Sequence, residues 1–242
     1  MTIRFKLTMM AIAGILVANS VLSLVIVEYL GGVWLGEVQT RVRRNLNAAR
    51  ARYDASVERI GFFLKAIASD GAIPGKVREK RDADLARLLQ KAYGSSGLDF
   101  LSLLDSGGRV LYRVRNPGQR GDDLSGNPLV AEVLRSRKGE TGTIILPADA
   151  LAAEGQDLAA RARFELVLTL ASRPTGERFR TDGMVMAAAV PVFDEKGELA
   201  AVLYAGDLLN GRNEVVDAIK RQVYPTEGVY PQDSKQGRKS ER

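Results

Sequence analysis

The chain has 242 residues, 45% of them hydrophobic, and a net charge of +6, which suits one medium-sized domain with a real core plus a separate N-terminal segment. It contains neither Cys nor His, so a disulfide framework, a thiolate nucleophile or metal site, a phosphoacceptor histidine and the usual serine or cysteine triads are all excluded. Its Lys and Arg residues form no stripe interleaved with aromatics; nucleic-acid binding is not expected, nor is an enzymatic role, a cofactor or a metal.

Leu7 to Val27 (LTMMAIAGILVANSVLSLVIV) carries no charge. At about 1.5 Å per residue a helix of that length matches the roughly 30 Å hydrocarbon core of a bilayer. Arg4 and Lys6 precede the run, and Tyr29 and Trp34 follow it, where amphipathic rings favour the interface. A cleaved signal peptide is the rival reading. Against it, such peptides have an apolar core of about 7–15 residues, and no small-residue cleavage site follows here at the right distance. No Lys or Arg lies between Lys6 and Arg41, so the nearest charges keep the amino terminus inside and send the following domain out of the cytoplasm.

From Glu37 to Ser69 there is no Pro and only one Gly, Gly61, and a long helix is expected. Val38, Val42, Leu46, Ala49, Tyr53, Val57, Ile60, Leu64 and Ala68 recur in steps of 4, 4, 3, 4, 4, 3, 4, 4, an eleven-residue repeat whose stripe runs nearly straight. Such a stripe packs on its own domain, pairs with a second copy, or does both at different turns. Gly71 to Gly75 reads as an interruption, followed by a shorter amphipathic helix from Asp82 to Tyr93 and by punctuation at Gly94 to Gly97.

Two β-hairpins follow from Asp-initiated, Gly-closed turns between apolar runs. One joins Asp99–Asp105 to Arg109–Val114 through Ser106-Gly107-Gly108. The other joins the run from Gly183 (GMVMAAAVPVF) to Glu198–Ala205 through Asp194-Glu195-Lys196-Gly197. Between them are expected a helix at Asn127–Arg137, a strand at Thr141–Leu146, a helix from Ala148 to about Arg163, and a polar loop at Arg173–Asp182 carrying Arg178 and Arg180. A last helix is expected from near Asp207 through Val216, Ile219 and Val223. This order implies an α+β fold with an antiparallel sheet. The domain boundaries are residues 1–34 for the cytoplasmic stub and anchor, 35–70 for the long helix, 71–223 for the sheet domain and 224–242 for a polar tail expected to be disordered.

The segments LLDSGGRVLYRVRNP (103–117), GDDLSGNPLVAEVL (121–134), TGTIIL (141–146), GMVMAAAVPVFDEKGELAAVLYAGDLLN (183–210) and VDAIKRQV (216–223), in that order and spacing, resemble the extracytoplasmic Cache sensor domains of bacterial histidine kinases and chemoreceptors. The resemblance implies a PAS-like sheet preceded by a long helix and anchored by a transmembrane segment in the inner membrane, with the domain in the periplasm. It implies binding of a small ligand and passage of a conformational change through the membrane; a homodimer through the stripe of the long helix and a separate cytoplasmic signalling partner are expected beside it. Full-length relatives usually continue into a second membrane helix and a kinase or methyl-accepting region. The chain is therefore expected to be a truncated or stand-alone input domain whose signalling partner is separate. The alternative is a ligand-free structural or dimerisation protein of the membrane.

Along Arg109–Arg115 the side chains are expected to alternate, with Leu111, Arg113 and Arg115 on one face and Tyr112 and Val114 on the other. Two guanidiniums two residues apart can grip one carboxylate, or form a solvated strand face. In carboxylate-binding Cache sensors a basic residue on this strand, followed three positions later by a polar residue before Pro, touches the ligand; Arg113, Asn116 and Pro117 fit that spacing. Those relatives also place a basic residue about four positions before the Pro of the second hairpin, and an aromatic nearby. Here Ala187 and Ala189 stand there, pointing away from a small dicarboxylate and toward a roomier or more apolar pocket. Met184 and Met186 offer adaptable lining or core. Tyr204 ends the last strand, and Asp207 either meets a cationic ligand or caps the final helix. Arg178 and Arg180 sit where a loop closes over a pocket, or are solvated. Asp122 and Asp123 are adjacent carboxylates without calcium-loop spacing. The candidate ligand-binding set is Tyr112, Arg113, Arg115, Asn116, Met186, Ala187, Tyr204 and Asp207, and the ligand class is a carboxylate or an amine.

Overall fold

The computed structural model describes residues 3–79, 81–166, 176–212 and 217, with the side chains at 4–8, 11 and 27–36 outside that description. The chain divides into two compact units, the smaller containing Met1–Ala51 and the larger being Arg52–Arg221. Helix α1 spans Ile3–Ala68.

In the smaller unit the described large apolar side chains of α1 are exposed, Met10 at 75% and Leu24 at 68% among them, while Ala48 and Ala49 are half-buried. Among the described residues no helix is long and apolar enough to cross a membrane; Leu7, Thr8, Ala11 and Val27 of the apolar run are among the side chains outside the description. Val38, Val42 and Leu46 of the eleven-residue stripe are exposed as well.

In the larger unit the stripe turns into core. Val57, Ile60, Leu64 and Ile67 are buried, at steps of 3, 4 and 3 that hold them on one helical face. The helix ends before Gly71, which adopts φ 64°, a left-handed conformation that costs glycine least. The expected interruption at 71–75 is corrected beyond that residue. Ala72–Gly75 open helix α2 (Ala72–Arg78), because Pro74 falls in the first turn, where an N–H has no intrahelical acceptor to lose. Helix α3 (Asp82–Gly94) follows, with Asp82 and Asp84 in its first turn and Leu85 and Leu89 buried; carboxylates there complement the helix dipole.

Strands β1 (Phe100–Asp105) and β2 (Val110–Arg113) form the first hairpin. Its turn is tied by Asp105 Oδ1, which accepts from the backbone N–H of Gly107 at 2.8 Å and of Arg109 at 2.9 Å. Helix α4 (Pro128–Ser136) starts at Asn127, whose side chain accepts from the N–H groups of Leu129 and Val130. Strand β3 is Glu140–Leu146. The single helix expected from Ala148 is two, α5 (Ala148–Glu154) and α6 (Gln156–Ala162), parted at Gly155. Part of the expected loop at 173–182 is strand: β5 (Phe179–Arg180) pairs with β4 (Phe164–Glu165). Strands β6 (Gly183–Phe193) and β7 (Leu199–Leu208) make the second hairpin. Asp207 therefore lies inside a strand and caps no helix. Past Arg212 only Asp217 is described, and it is helical; the expected turns at Val216, Ile219 and Val223, and the tail at 224–242, fall outside the described residues.

The main sheet has the order β2-β1-β7-β6-β3, antiparallel throughout, and the fold is α+β. One face, carrying Leu101, Leu103, Met186, Ala188 and Leu203, packs against the buried stripe of α1 and against Ile73, Leu85 and Leu89. The other, carrying Phe100, Leu104, Ala187, Ala189 and Tyr204, packs against Val130 and Val133 of α4, Leu151 of α5 and Leu158 of α6. Each fully buried Val, Leu or Ile among these contributes roughly 1.5–3 kcal/mol. Both faces being covered explains why β6 is buried almost without interruption.

Candidate functional site

Strand register aligns four residues across the sheet. Arg113 faces Ser102, Ser102 faces Tyr204, and Tyr204 faces Ala189. Residues directly opposite in antiparallel strands put their side chains on the same face, here the face covered by α4, α5 and α6.

Arg113 is 1% exposed and its guanidinium is occupied from within. Nε donates to Glu154 Oε1 at 2.9 Å, Nη1 to the Gln119 carbonyl at 2.9 Å, and Nη2 to Asp122 Oδ2 at 2.7 Å. Ser102 Oγ donates to the second oxygen of Glu154 at 2.6 Å. Burial pushes the Glu154 carboxyl up, against the pull of Arg113 and the Ser102 hydrogen bond. The Asp122 carboxyl is held low, chiefly by the hydrogen bond from Arg113. Tyr204 is 1% exposed; its hydroxyl accepts from Asn127 Nδ2 at 3.2 Å, and burial raises the phenol above its ordinary value.

Above this row lies a cavity of about 360 Å³, within the roughly 300–1,000 Å³ range of small-molecule sites. Arg113 and Tyr204 line it from the sheet, Gln119, Asp122, Leu124 and Asn127 from the segment leading into α4, and Leu146, Asp149, Ala150, Ala153 and Glu154 from the end of β3 and from α5.

Of the eight candidates, Arg113 and Tyr204 line this cavity. Asn116 braces its wall, donating through Nδ2 to the carbonyl of Ala153 at 3.0 Å. Ala187 is buried on the same face in the cluster beneath α4 to α6. Arg115 reaches Asp157 of α6 at 2.8 Å and the Asp99 carbonyl at 3.1 Å. Tyr112 and Met186 belong to the core on the α1 side; Tyr112 lines a separate cleft of about 530 Å³ with Lys76, Asp82 and Arg120. Asp207 also faces α1. It accepts from the Asp99 N–H at 3.1 Å and from Arg59 at 3.3 Å, and Arg212 lies 3.7 Å away. Burial raises its carboxyl, with Arg212 pulling the other way.

The expected alternation along β2 fails at one place. A register shift between Leu103 and Leu104 leaves Leu111 packed with the α1-side cluster, beside Tyr112 instead of Arg113. A β-bulge reverses the side-chain phase beyond it. Met184 and Arg180 meet elsewhere, in an apolar hollow of about 470 Å³ with Ile145 and Phe164. Arg178 pairs with Glu165, and Asp123 closes a turn by accepting from the Ser125 N–H.

Glu154, Asp149, Gln119 and Asn127 were not singled out as site residues from sequence. For Glu154 a signal exists. Leu151, Glu154, Leu158 and Ala162 follow at steps of 3, 4 and 4 and all four are buried, so a carboxylate occupies an apolar stripe. Such a group needs a buried partner.

No protein-family model matches the chain, and no curated protein matches it. Among solved structures, the periplasmic domain of LuxQ from Vibrio cholerae is similar at 12% identity with a TM-score of 0.43, covering 76% of this chain and 71% of that one. Its selenomethionine form gives 11% identity and 0.45, covering 76% and 70%. An extracellular ligand binding receptor from Desulfohalobium retbaense gives 12% identity and 0.33, covering 68% of this chain and 27% of the receptor. At these levels no property of those proteins transfers to this chain.

Proposed function

We propose that this chain is a membrane-anchored, extracytoplasmic ligand-sensing module of the Cache kind, the input part of a bacterial sensor kinase or chemoreceptor system, and not an enzyme. The observation that carries the reading is the cavity over Arg113 and Tyr204, on the sheet face opposite the one that packs against α1. A ligand there and a helix on the far face share the same strands, so a small strand shift on binding reaches the helix through packed side chains. The strand order β2-β1-β7-β6-β3, with a long helix before it, supports the PAS-like arrangement that the sequence resemblance implies.

The anchor is the uncharged run Leu7–Val27, whose described apolar side chains are unpacked. In this reading it sits in the inner membrane as a single pass, with the sheet domain in the periplasm. The exposed Val38, Val42 and Leu46 pair with the same helix of a second copy, and a separate cytoplasmic protein receives the signal. The test is a metabolite screen by thermal unfolding of the full chain in detergent. A ligand of the cavity raises the midpoint by mass action, and a broad panel without a single shift contradicts the reading.

A second reading, a dimerising scaffold that binds no ligand, has one specific observation in its favour: three bonds inside the protein already occupy the guanidinium of Arg113. It expects the same screen to be silent and self-association to persist.

A further inference from the structure

We infer that the cavity takes a small cationic amine that also carries a hydrogen-bond acceptor, such as an amino alcohol, and not a carboxylic acid; this rests on the ligand-sensing reading above. Two observations carry it. The first is the Tyr204 hydroxyl, 1% exposed and lining the cavity. Its oxygen accepts from Asn127, whose own Oδ1 is already engaged by the N–H groups of Leu129 and Val130. The hydroxyl thus has one partner, while its proton makes no hydrogen bond to a described residue and has room for an acceptor on the cavity side. A ligand oxygen in the cavity supplies it.

The second is the charge of the lining. One guanidinium, Arg113, faces three carboxylates, Asp122, Asp149 and Glu154. Asp122 and Glu154 are both paired to that guanidinium, so its charge is matched before a ligand arrives. Asp149, exposed in the first turn of α5, makes no ion pair among the described residues. A carboxylate ligand entering here meets like charge and no free cation. An ammonium meets Asp149 and Asp122, and the lining keeps a negative surplus even when the buried Glu154 is protonated.

The experiment uses the full chain in detergent and three probes of similar size: 3-aminopropanol, 3-hydroxypropanoate and 1,3-propanediol, titrated by calorimetry and by thermal unfolding. The inference expects 3-aminopropanol to bind at least about tenfold more tightly than the other two. Asp149→Asn is expected to weaken it about tenfold, Tyr204→Phe to weaken it, and the cavity-filling Ala153→Trp to abolish it. Preferential binding of 3-hydroxypropanoate that Ala153→Trp removes overturns the amine assignment and leaves the sensing reading standing. Amine binding indifferent to Asp149→Asn and Ala153→Trp overturns it too, since the probe then sits elsewhere. Silence from all three probes also overturns it, while the broad metabolite screen decides separately whether the cavity binds anything.

Discussion

Arg113 and Glu154 form an ion pair away from solvent: Nε lies 2.9 Å from Oε1, with the two side chains 1% and 4% exposed. The pair joins β2 to the last residue of α5, and Ser102 of β1 donates to the same carboxylate. Asn116, three residues after Arg113, holds the preceding carbonyl of α5, that of Ala153. Arg113 and Asn116, whose spacing was expected to touch a ligand, here secure the helix forming the cavity wall.

Removing one member of such a pair leaves a buried charge without a partner. Arg113→Ala is expected to destabilise the protein by about 3–5 kcal/mol, whereas Arg113→Met combined with Glu154→Leu regains most of that loss. Urea denaturation of the full chain in detergent measures both. A single variant within about 1 kcal/mol of the parent, the range of an exposed pair, contradicts the buried assignment. Because the variant acts on stability, Arg113→Ala does not by itself separate a sensor from a scaffold.

The shifted carboxyls set opposite pH dependences. Asp122 and Asp157 are held below the usual 3.8 by hydrogen bonds from Arg113 and Arg115. Folding then releases their protons, so their contribution is present above the unfolded value and is lost as pH falls through the folded one. Burial raises Glu154 above 4.5. Its contribution is complete below that value and declines as pH rises through the folded one. Unfolding free energy measured from pH 3 to pH 8 is therefore expected to lose less on acidification in Asp122→Asn than in the parent. In Glu154→Gln the decline above about pH 4.5 is expected to flatten; unchanged slopes in both contradict the assignments.

Gly206 tests the close packing of β7. A Cβ there meets Val185 Cγ1 at 2.8 Å, the Met186 carbonyl oxygen at 2.9 Å and Phe100 Cε1 at 2.9 Å. Since one obstacle is backbone in the adjoining strand, Gly206→Ala is expected to cost about 1–3 kcal/mol. Gly14→Ala, with nothing within 4 Å, leaves thermal unfolding of the sheet domain unchanged.

The exposed part of the α1 stripe yields a different readout. Replacing Val38, Val42 and Leu46, exposed at 52%, 59% and 66%, by Ser is expected to weaken self-association in detergent by at least tenfold, as analytical ultracentrifugation would record. The melting midpoint of the sheet domain stays put, because these residues bury nothing in it. Undiminished association contradicts dimerisation through this face.

The strands and the long helix were readable because they follow simple rules: apolar runs joined by Asp-initiated, Gly-closed turns at 105–108 and 194–197, and an eleven-residue stripe from Val38 to Ala68. What escaped depends on tertiary partners or on a local break in the rule. Leu111 changed face because a bulge sits beside it. Glu154 looked like an ordinary polar residue of a helix, although its place between Leu151 and Leu158 marked it. Asp207 was expected to open the final helix, against a cationic ligand or as its cap, because the last strand was ended too early, whereas it lies inside β7. The usable stop signal came later, at Asn210-Gly211, where Gly211 adopts φ 73° and Asn210 Oδ1 accepts from the Met184 N–H at 2.7 Å. Arg113 does line the cavity, but the carboxylates occupying it come from 9 and 41 residues away, beyond any local pattern.

The central claim, a ligand held over Arg113 and Tyr204, is tested most directly by hydrogen–deuterium exchange on the full chain in detergent. The comparison is between the ligand-free chain and the chain saturated with the best compound from the metabolite screen. The expected result is slowed exchange in residues 119–127 and 146–154, which line the cavity, together with a change in the α1 turns around Ile60 and Leu64 on the opposite face. Protection confined to the open cleft between the end of α1 and α3, lined by Phe63, Asp70, Arg87 and Lys91, or no protection at all, contradicts it.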